Sequence, residues 1–354
     1  MQEKFENRFL RREFRPIGWM LIAYFVLMNV FVIGTMMLQV MSAFFDSVAQ
    51  GVPYVQPDQK ALSSNGWGYV LAMAVGMLIL FVWKDRSFWR EEVFSRKGKM
   101  TVGAFFALLC LTIAPQLINT IWVAGLEAVM NLFDRSLIDL LESVSGSSDS
   151  VSMFLYVSIL APISEELIFR GWIQGSLRPY GRKFAILGSA ILFGLFHGNL
   201  IQTPYAFLVG LVLGYVSMEY SIWWSIALHM FNNLVFADLF TRLLTMLPEM
   251  LGSLLNLGVL TALTCAGIVI LAVKRNAIRN YLYGEYLDRK CLKWFLLNSG
   301  FIALAILMAL NCMTMFMEYN SAPPFPWKWG RKTTASSGNM RPRSAAAESR
   351  ECQG

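Results

Sequence analysis

Apolar runs of about twenty residues recur along the 354-residue chain, separated by short polar connections. They fall at about 17–40, 67–83, 101–133, 151–172, 184–200, 203–219, 222–240, 253–273 and 294–317. As helices rising ~1.5 Å per residue, runs of this length match a hydrocarbon core of about 30 Å. Backbone groups in lipid must bond to one another within the segment, so helices are the expected element. The pattern predicts an all-α, polytopic integral membrane helical bundle of eight to nine transmembrane helices. The first run is too long for a secretory h-region and reads as an uncleaved anchor. Only 46–66 and 134–150 are sizeable external loops, which leaves no room for a soluble catalytic domain. Any chemistry is therefore expected inside the membrane.

Composition agrees with this picture, and charge orients it. Hydrophobic residues make up 56% of the chain and charged residues 15%, against about 25% charged in an average soluble domain. The net charge of +7 is distributed as the positive-inside rule requires. Lys and Arg gather before the first run, in the 84–100 loop, in the 171–183 connection and in the 274–293 loop. The intervening loops hold only Lys60, Arg135 and Arg242. The expectation is a multi-pass cell-membrane protein with a cytoplasmic N-terminus and the lipid bilayer as its surroundings. No nucleic-acid partner is needed to explain the charge. Nine spans would put Lys328, Arg331, Lys332, Arg341, Arg343 and Arg350 outside, so either the last span does not fully cross or the tail breaks the rule.

The organisation expected is a basic N-terminal segment (1–16), N-terminal spans (17–133), a central core (134–240), C-terminal spans (241–319) and a disordered polar tail (320–354). The tail is rich in Ser, Ala, Gly, Pro and Arg and lacks apolar periodicity. The five cysteines are widely spaced, show no metal-knuckle or redox pattern, and read as apolar filler plus a tail thiol.

Candidate chemistry begins with scarcity. The chain has two histidines, His197 and His229, both inside apolar runs, and a third apolar run carries Glu165, Glu166 and Arg170. Ionisable groups at membrane depth are costly and mark function or pairing. On a helix, Glu166 and Arg170 are four apart and can pair on one face, whereas Glu165 points about 100° away. Glu166 then reads as one half of an ion pair, leaving Glu165 free to face a cavity, where a partly dry carboxylate serves as a general base. The plain structural reading is that both glutamates fasten helices through arginines. Phe193 lies one turn below His197, with Gly194 and Gly198 admitting a close neighbour. His229 and Asn233 are likewise one turn apart.

The pattern Glu-Glu-x-x-x-Arg also occurs at Glu91, Glu92 and Arg96, in the basic loop where paired charges are ordinary. What sets 165–170 apart is its apolar setting and the two histidine elements that follow. Taken together, Glu165-Glu166-Arg170, Phe193-His197 and His229-Asn233 resemble the CPBP family of CAAX-protease, bacteriocin-processing and abortive-infection-type intramembrane proteases. The resemblance covers about 150–240. It implies a glutamate-dependent intramembrane endopeptidase acting on a membrane-associated peptide or protein. Glu165 and His197 would activate a water, His229 and Asn233 would hold the oxyanion, and Glu166, Arg170 and Phe193 would support the site.

Glu165, His197 and His229 are also possible zinc ligands. The chain has no His-Glu-x-x-His helix, however, and the resemblance implies no cofactor, with zinc not favoured. The alternative function is a non-catalytic bacteriocin-immunity or membrane assembly protein on the same scaffold. A transporter or proton relay is disfavoured by the lack of an inverted repeat. With a run ending at 172, Glu165 falls near its cytoplasmic end and His197 near the outer end of its own run. Bringing them together then requires a shift, a tilt or a re-entrant stretch around 173–184, with the site opening toward the cytoplasmic side.

Overall fold

The structure is a computed structural model that describes residues 2–95, 97–133, 136–137, 150–284 and 287–320. Among them every regular element is a helix. In chain order the main ones are α1 (Gln2–Gln50), α2 (Trp67–Trp83), α3 (Val102–Ile113), α4 (Pro115–Asn131), α5 (Val151–Tyr180) and α6 (Arg182–Phe196). They are followed by α7 (Thr203–Glu219), α8 (222–245), α9 (Glu249–Val273), α10 (Arg275–Gly284), α11 (Arg289–Leu296) and α12 (Ser299–Asn320). Each of the nine apolar runs is helical, but 101–133 is divided between α3 and α4, and 294–317 between α11 and α12. The expected tail at 321–354 and most of the 134–150 loop lie outside the described residues.

The fold is the helical membrane bundle expected, but fewer helices have the length and composition to cross. Among the described residues five do so, or six if the α11–α12 pair, bent by 55°, forms one span. The difference from eight or nine arises in the centre. Helix α6 has 15 residues and α7 has 17, about 22 and 26 Å of helix against a core of about 30 Å. The segment 222–240 is diluted by His, Asn, Ser and Asp.

Helix α5 is the axis of the bundle, with 44% of its most apolar window buried against 6% for α1 and 11% for α9. Its regularity is broken at Pro162, which has no N–H and whose ring crowds the carbonyl four residues back. Just before it the helix widens, and Ala161 N–H bonds Tyr156 O, five residues earlier. A second widened stretch covers Glu166–Ile173. Such insertions gather at functional sites.

The helix runs on to Tyr180, past the expected end at 172, and turns at Gly181 (φ 117°). Glu165 and His197 each lie sixteen residues from Gly181. The α5–α6 hairpin therefore sets them at one level with no re-entrant stretch. That level is about 24 Å along the helix from the basic turn, deeper than a run ending at 172 implied.

The basic connections meet at one end of the bundle. Lys97 N–H donates to Tyr220 O at 2.9 Å, Arg178 pairs with Glu92 at 2.9 Å, and Arg182 pairs with Glu219. Tyr281 donates to Glu219 at 2.8 Å, and Lys290 pairs with Glu6 at 2.5 Å. At the other end Gly66 N–H donates to Ser152 Oγ at 3.0 Å and Trp122 Nε1 to Leu200 O at 2.8 Å. The alternation read from Lys and Arg is thus reproduced as two distinct ends.

Helices α1 and α12 cross where both lack a side chain. A Cβ on Gly300 would lie 2.2 Å from Arg15 O, and one on Gly18 would lie 2.2 Å from the Gly300 carbonyl carbon. Gly300→Val should force the pair apart and cost about 1–3 kcal/mol. Gly34→Val, with nothing within 4 Å, should cost far less. Thermal unfolding of the two variants in detergent measures the contrast.

Candidate functional site

The α5–α6 hairpin and α8 bring the three sequence elements together around a buried carboxylate. Glu166 has a fully buried side chain and is bonded through both oxygens. Its Oε1 accepts from Arg170 Nη1 at 2.8 Å and His229 Nδ1 at 2.9 Å. Its Oε2 accepts from Ser225 Oγ at 2.5 Å. Arg170, also fully buried, places a second nitrogen, Nη2, 3.5 Å from Gly210 O on α7. Glu165, by contrast, keeps 29% of its side chain exposed, with Oε2 3.7 Å from His229 Nε2. The division between a paired and an open glutamate is therefore present in the geometry.

Phe193 is the spacer of the cluster. Its ring carries the Arg170 guanidinium 4.1 Å above its centroid. It also meets His197 edge-on at 5.0 Å and His229 at 5.7 Å. Its carbonyl lies 2.8 Å from His197 Nδ1, and a carbonyl can only accept. Nδ1 therefore carries the proton, and in the neutral ring Nε2 is left as an acceptor. His229 is fixed in the same sense, since Nδ1 faces the Glu166 carboxylate.

The turn after His197 is held from several sides. Gly198 adopts φ 63°, a left-handed conformation that side chains disfavour. Asn311 of α12 donates to Gly198 O at 3.2 Å, and Asn199 donates to His197 O at 2.9 Å. Asn233 lies on the turn above His229, but its Nδ2 donates to Val157 O at 3.2 Å and its Oδ1 accepts from Asn232 at 3.1 Å. Tyr205 in turn donates to Asn232 Oδ1 at 3.0 Å. The other Glu-Glu pattern stays outside this cluster. Glu91 pairs with Arg90 and Glu92 with Arg178, all well exposed, while Arg96 lies outside the described residues.

Sequence reasoning missed Ser225, Asn199 and Asn311. Ser225 precedes His229 by four residues, so its place on the same helical face was a readable signal. For Asn311, distant in the chain, no such signal exists. Among the described residues no group of three or more His, Cys, Asp or Glu side chains is arranged to hold a metal ion.

Residues 147–235 match the family described as type II CAAX prenyl endopeptidase Rce1-like. That stretch is similar to this family. That stretch contains all seven residues of the three elements and accords with the CPBP resemblance. It supports intramembrane protease activity in general terms and, with the apolar helices, a multi-pass membrane protein. No curated protein and no solved structure matches the chain significantly.

Because Arg170 and Glu166 neutralise each other away from water, removing one leaves the other uncompensated. Arg170→Met should cost about 3–5 kcal/mol. Adding Glu166→Met should recover part of that loss, because an apolar pair is tolerated better than one buried charge. Unfolding of the single and double variants in detergent gives both values.

Proposed function

We propose that the chain is an intramembrane endopeptidase of the CAAX-protease type, hydrolysing a peptide bond in a membrane-associated protein or peptide. The observation that carries this reading is the convergence, inside the matched stretch, of an open glutamate with two histidines whose proton positions are dictated by their partners. Glu165 takes a proton from water, and His197 Nε2 accepts a hydrogen bond from the water's other O–H, which stays bonded, and so aims its oxygen. The oxygen attacks the scissile carbonyl carbon, whose π electrons move onto the carbonyl oxygen. Glu165 then delivers its proton to the departing amine.

Charge balance supports the same roles. Glu165, Glu166 and Arg170 sum to one negative charge, so one proton shared between Glu165 and His229 Nε2 leaves the cluster neutral. With that proton on His229, Glu165 is the free base and the imidazolium can stabilise the oxyanion. Glu166 holds His229 in this orientation, much as the buried carboxylate of a hydrolase triad does. The N-terminus and the basic end of the bundle face the cytoplasm in this reading, with the cell membrane as the site of action.

Glu165→Gln and His197→Ala should each lower cleavage about 10²–10⁴-fold with thermal unfolding unchanged. Undiminished cleavage by both would refute the assigned roles, and a binding function that survives Glu165→Ala would favour the non-catalytic alternative.

This reading assigns the reaction no metal, with Glu165 and His197 alone activating the water. Cleavage by purified protein should persist in excess chelator. Loss of activity restored by zinc alone would overturn that point.

A further inference from the structure

The proposed hydrolysis leaves the start of α1 without a role, yet its charges are ordered. Arg8, Arg11, Arg12 and Arg15 are spaced i, i+3, i+4 and i+7, which on a helix gathers them within an arc of about 100°. Leu10, Phe14, Ile17 and Leu21 take the opposite side and are buried in the bundle. The arginines therefore face outward, and all four are exposed. Between Phe5 and Trp19 the only carboxylates are Glu6 and Glu13, each about 100° or more from the edge of the arc. Glu6 pairs with Lys290, and Glu13 lies near Lys84 and Tyr180.

The same face changes character along the helix. Trp19 lies within the arc one turn beyond Arg15, where the apolar run begins, and is 49% exposed. Val26 and Val30 continue the arc and are also exposed. Cations, an indole and then aliphatic groups thus follow one another on one open face. A phospholipid presents the complementary order of charged headgroup, interface and acyl chain, and indoles favour the interface. Helix α11 adds to the charged end. The Arg11 guanidinium lies 3.9 Å above the Trp294 ring centroid, and Lys293 Nζ lies 5.2 Å from it. Trp294 Nε1 donates to Asn7 Oδ1 at 2.8 Å, which fixes the indole against α1.

We propose that this face of α1, with Trp294 and Lys293 of α11, is a binding site for anionic phospholipids at the basic end of the bundle. Basic clusters next to a membrane span attract acidic headgroups. The arginines take the headgroup charge, Trp19 sits at the interface, and Val26 and Val30 lie along an acyl chain. A soluble acidic protein would match the cations but not their aliphatic continuation. The site uses none of the residues assigned to hydrolysis, so it stands or falls apart from that reading.

The purified full chain in neutral detergent is titrated with phosphatidylglycerol or phosphatidylcholine of the same acyl chains, and bound lipid is counted by native mass spectrometry. Wild type should prefer phosphatidylglycerol, and added salt should weaken the preference. Arg8→Gln, Arg12→Gln and Arg15→Gln combined leave Arg11 on Trp294. They should weaken phosphatidylglycerol binding about 10²-fold, at roughly fivefold per cation, with phosphatidylcholine binding and thermal unfolding unchanged. Arg12→Gln alone should cost about fivefold and gives the same reading with a smaller change. The three arginines changed to Lys should keep most of the binding. Lys274→Gln, Arg275→Gln and Arg279→Gln remove equal charge at α10 and should leave the tightest phosphatidylglycerol in place. The inference falls if the α1 variants bind as wild type does, or if the α10 variant loses as much. It also falls if wild type holds both lipids alike, a result that would assign the stripe to a soluble acidic partner.

Discussion

The ion pair between Glu166 and Arg170 is the constraint around which the centre of the molecule is arranged. Two charges without solvent contact are a liability unless each remaining lone pair and N–H finds a partner. Glu166 meets that demand with Arg170 on its own helix and with Ser225 and His229 on α8. Arg170 meets it only in part: the Phe193 ring face lies under the guanidinium and Nη2 approaches Gly210 O, while its buried Nε has no hydrogen-bond partner. The partners come from α5, α6, α7 and α8, so satisfying one buried pair dictates how four helices assemble. A polar network of this kind rigidifies what it joins. His229 is locked as a by-product, which makes the cost of burial serve the chemistry.

Level is the second constraint, and it comes from chain length. A hairpin with equal arms brings equidistant residues opposite one another, so Glu165 and His197 need only a turn at Gly181 to meet. Widened stretches of α5 lie on either side of Glu165, which itself keeps helical dihedrals (φ −65°, ψ −42°) and so points about 100° away from Glu166. Pro162 makes the first of them nearly obligatory. The open glutamate therefore owes its orientation to local backbone chemistry, and the paired one to its partners.

Much of this was readable in the sequence, because period, charge and polar rarity are local signals. The nine apolar runs, the separation of basic from neutral loops, the Glu166–Arg170 pairing and the stacking of Phe193 below His197 all follow from spacing. The depth of Glu165 was misjudged, since Gln174-Gly175-Ser176-Leu177-Arg178-Pro179-Tyr180 looks like a connection yet continues the helix. Its polarity is accommodated by neighbours: Gln174, for instance, donates to Gly214 O at 2.9 Å. The count of eight to nine spans is not confirmed, because apolar periodicity reports burial in protein as readily as exposure to lipid. Tyr24 and Asn311 were invisible, as nothing in their neighbourhoods ties them to residues more than a hundred positions away.

Those two residues also bear on where the working unit ends. The matched stretch holds the glutamates and histidines, but the turn behind His197 is fastened by Asn311 from the last helix. Tyr24 from the first stacks on Phe196, the residue before His197. Helices α1 and α12 in turn lie in backbone contact at Gly18 and Gly300. Lipid supplies no hydrophobic drive to hold one helix on another, so such close packing is what keeps membrane helices together. A site assembled from α5, α6 and α8 is then only as well positioned as the α1–α12 crossing that braces it from both sides. The flanking spans are best understood as part of the framework that positions the proposed site, although their sequences show little beyond hydrophobicity.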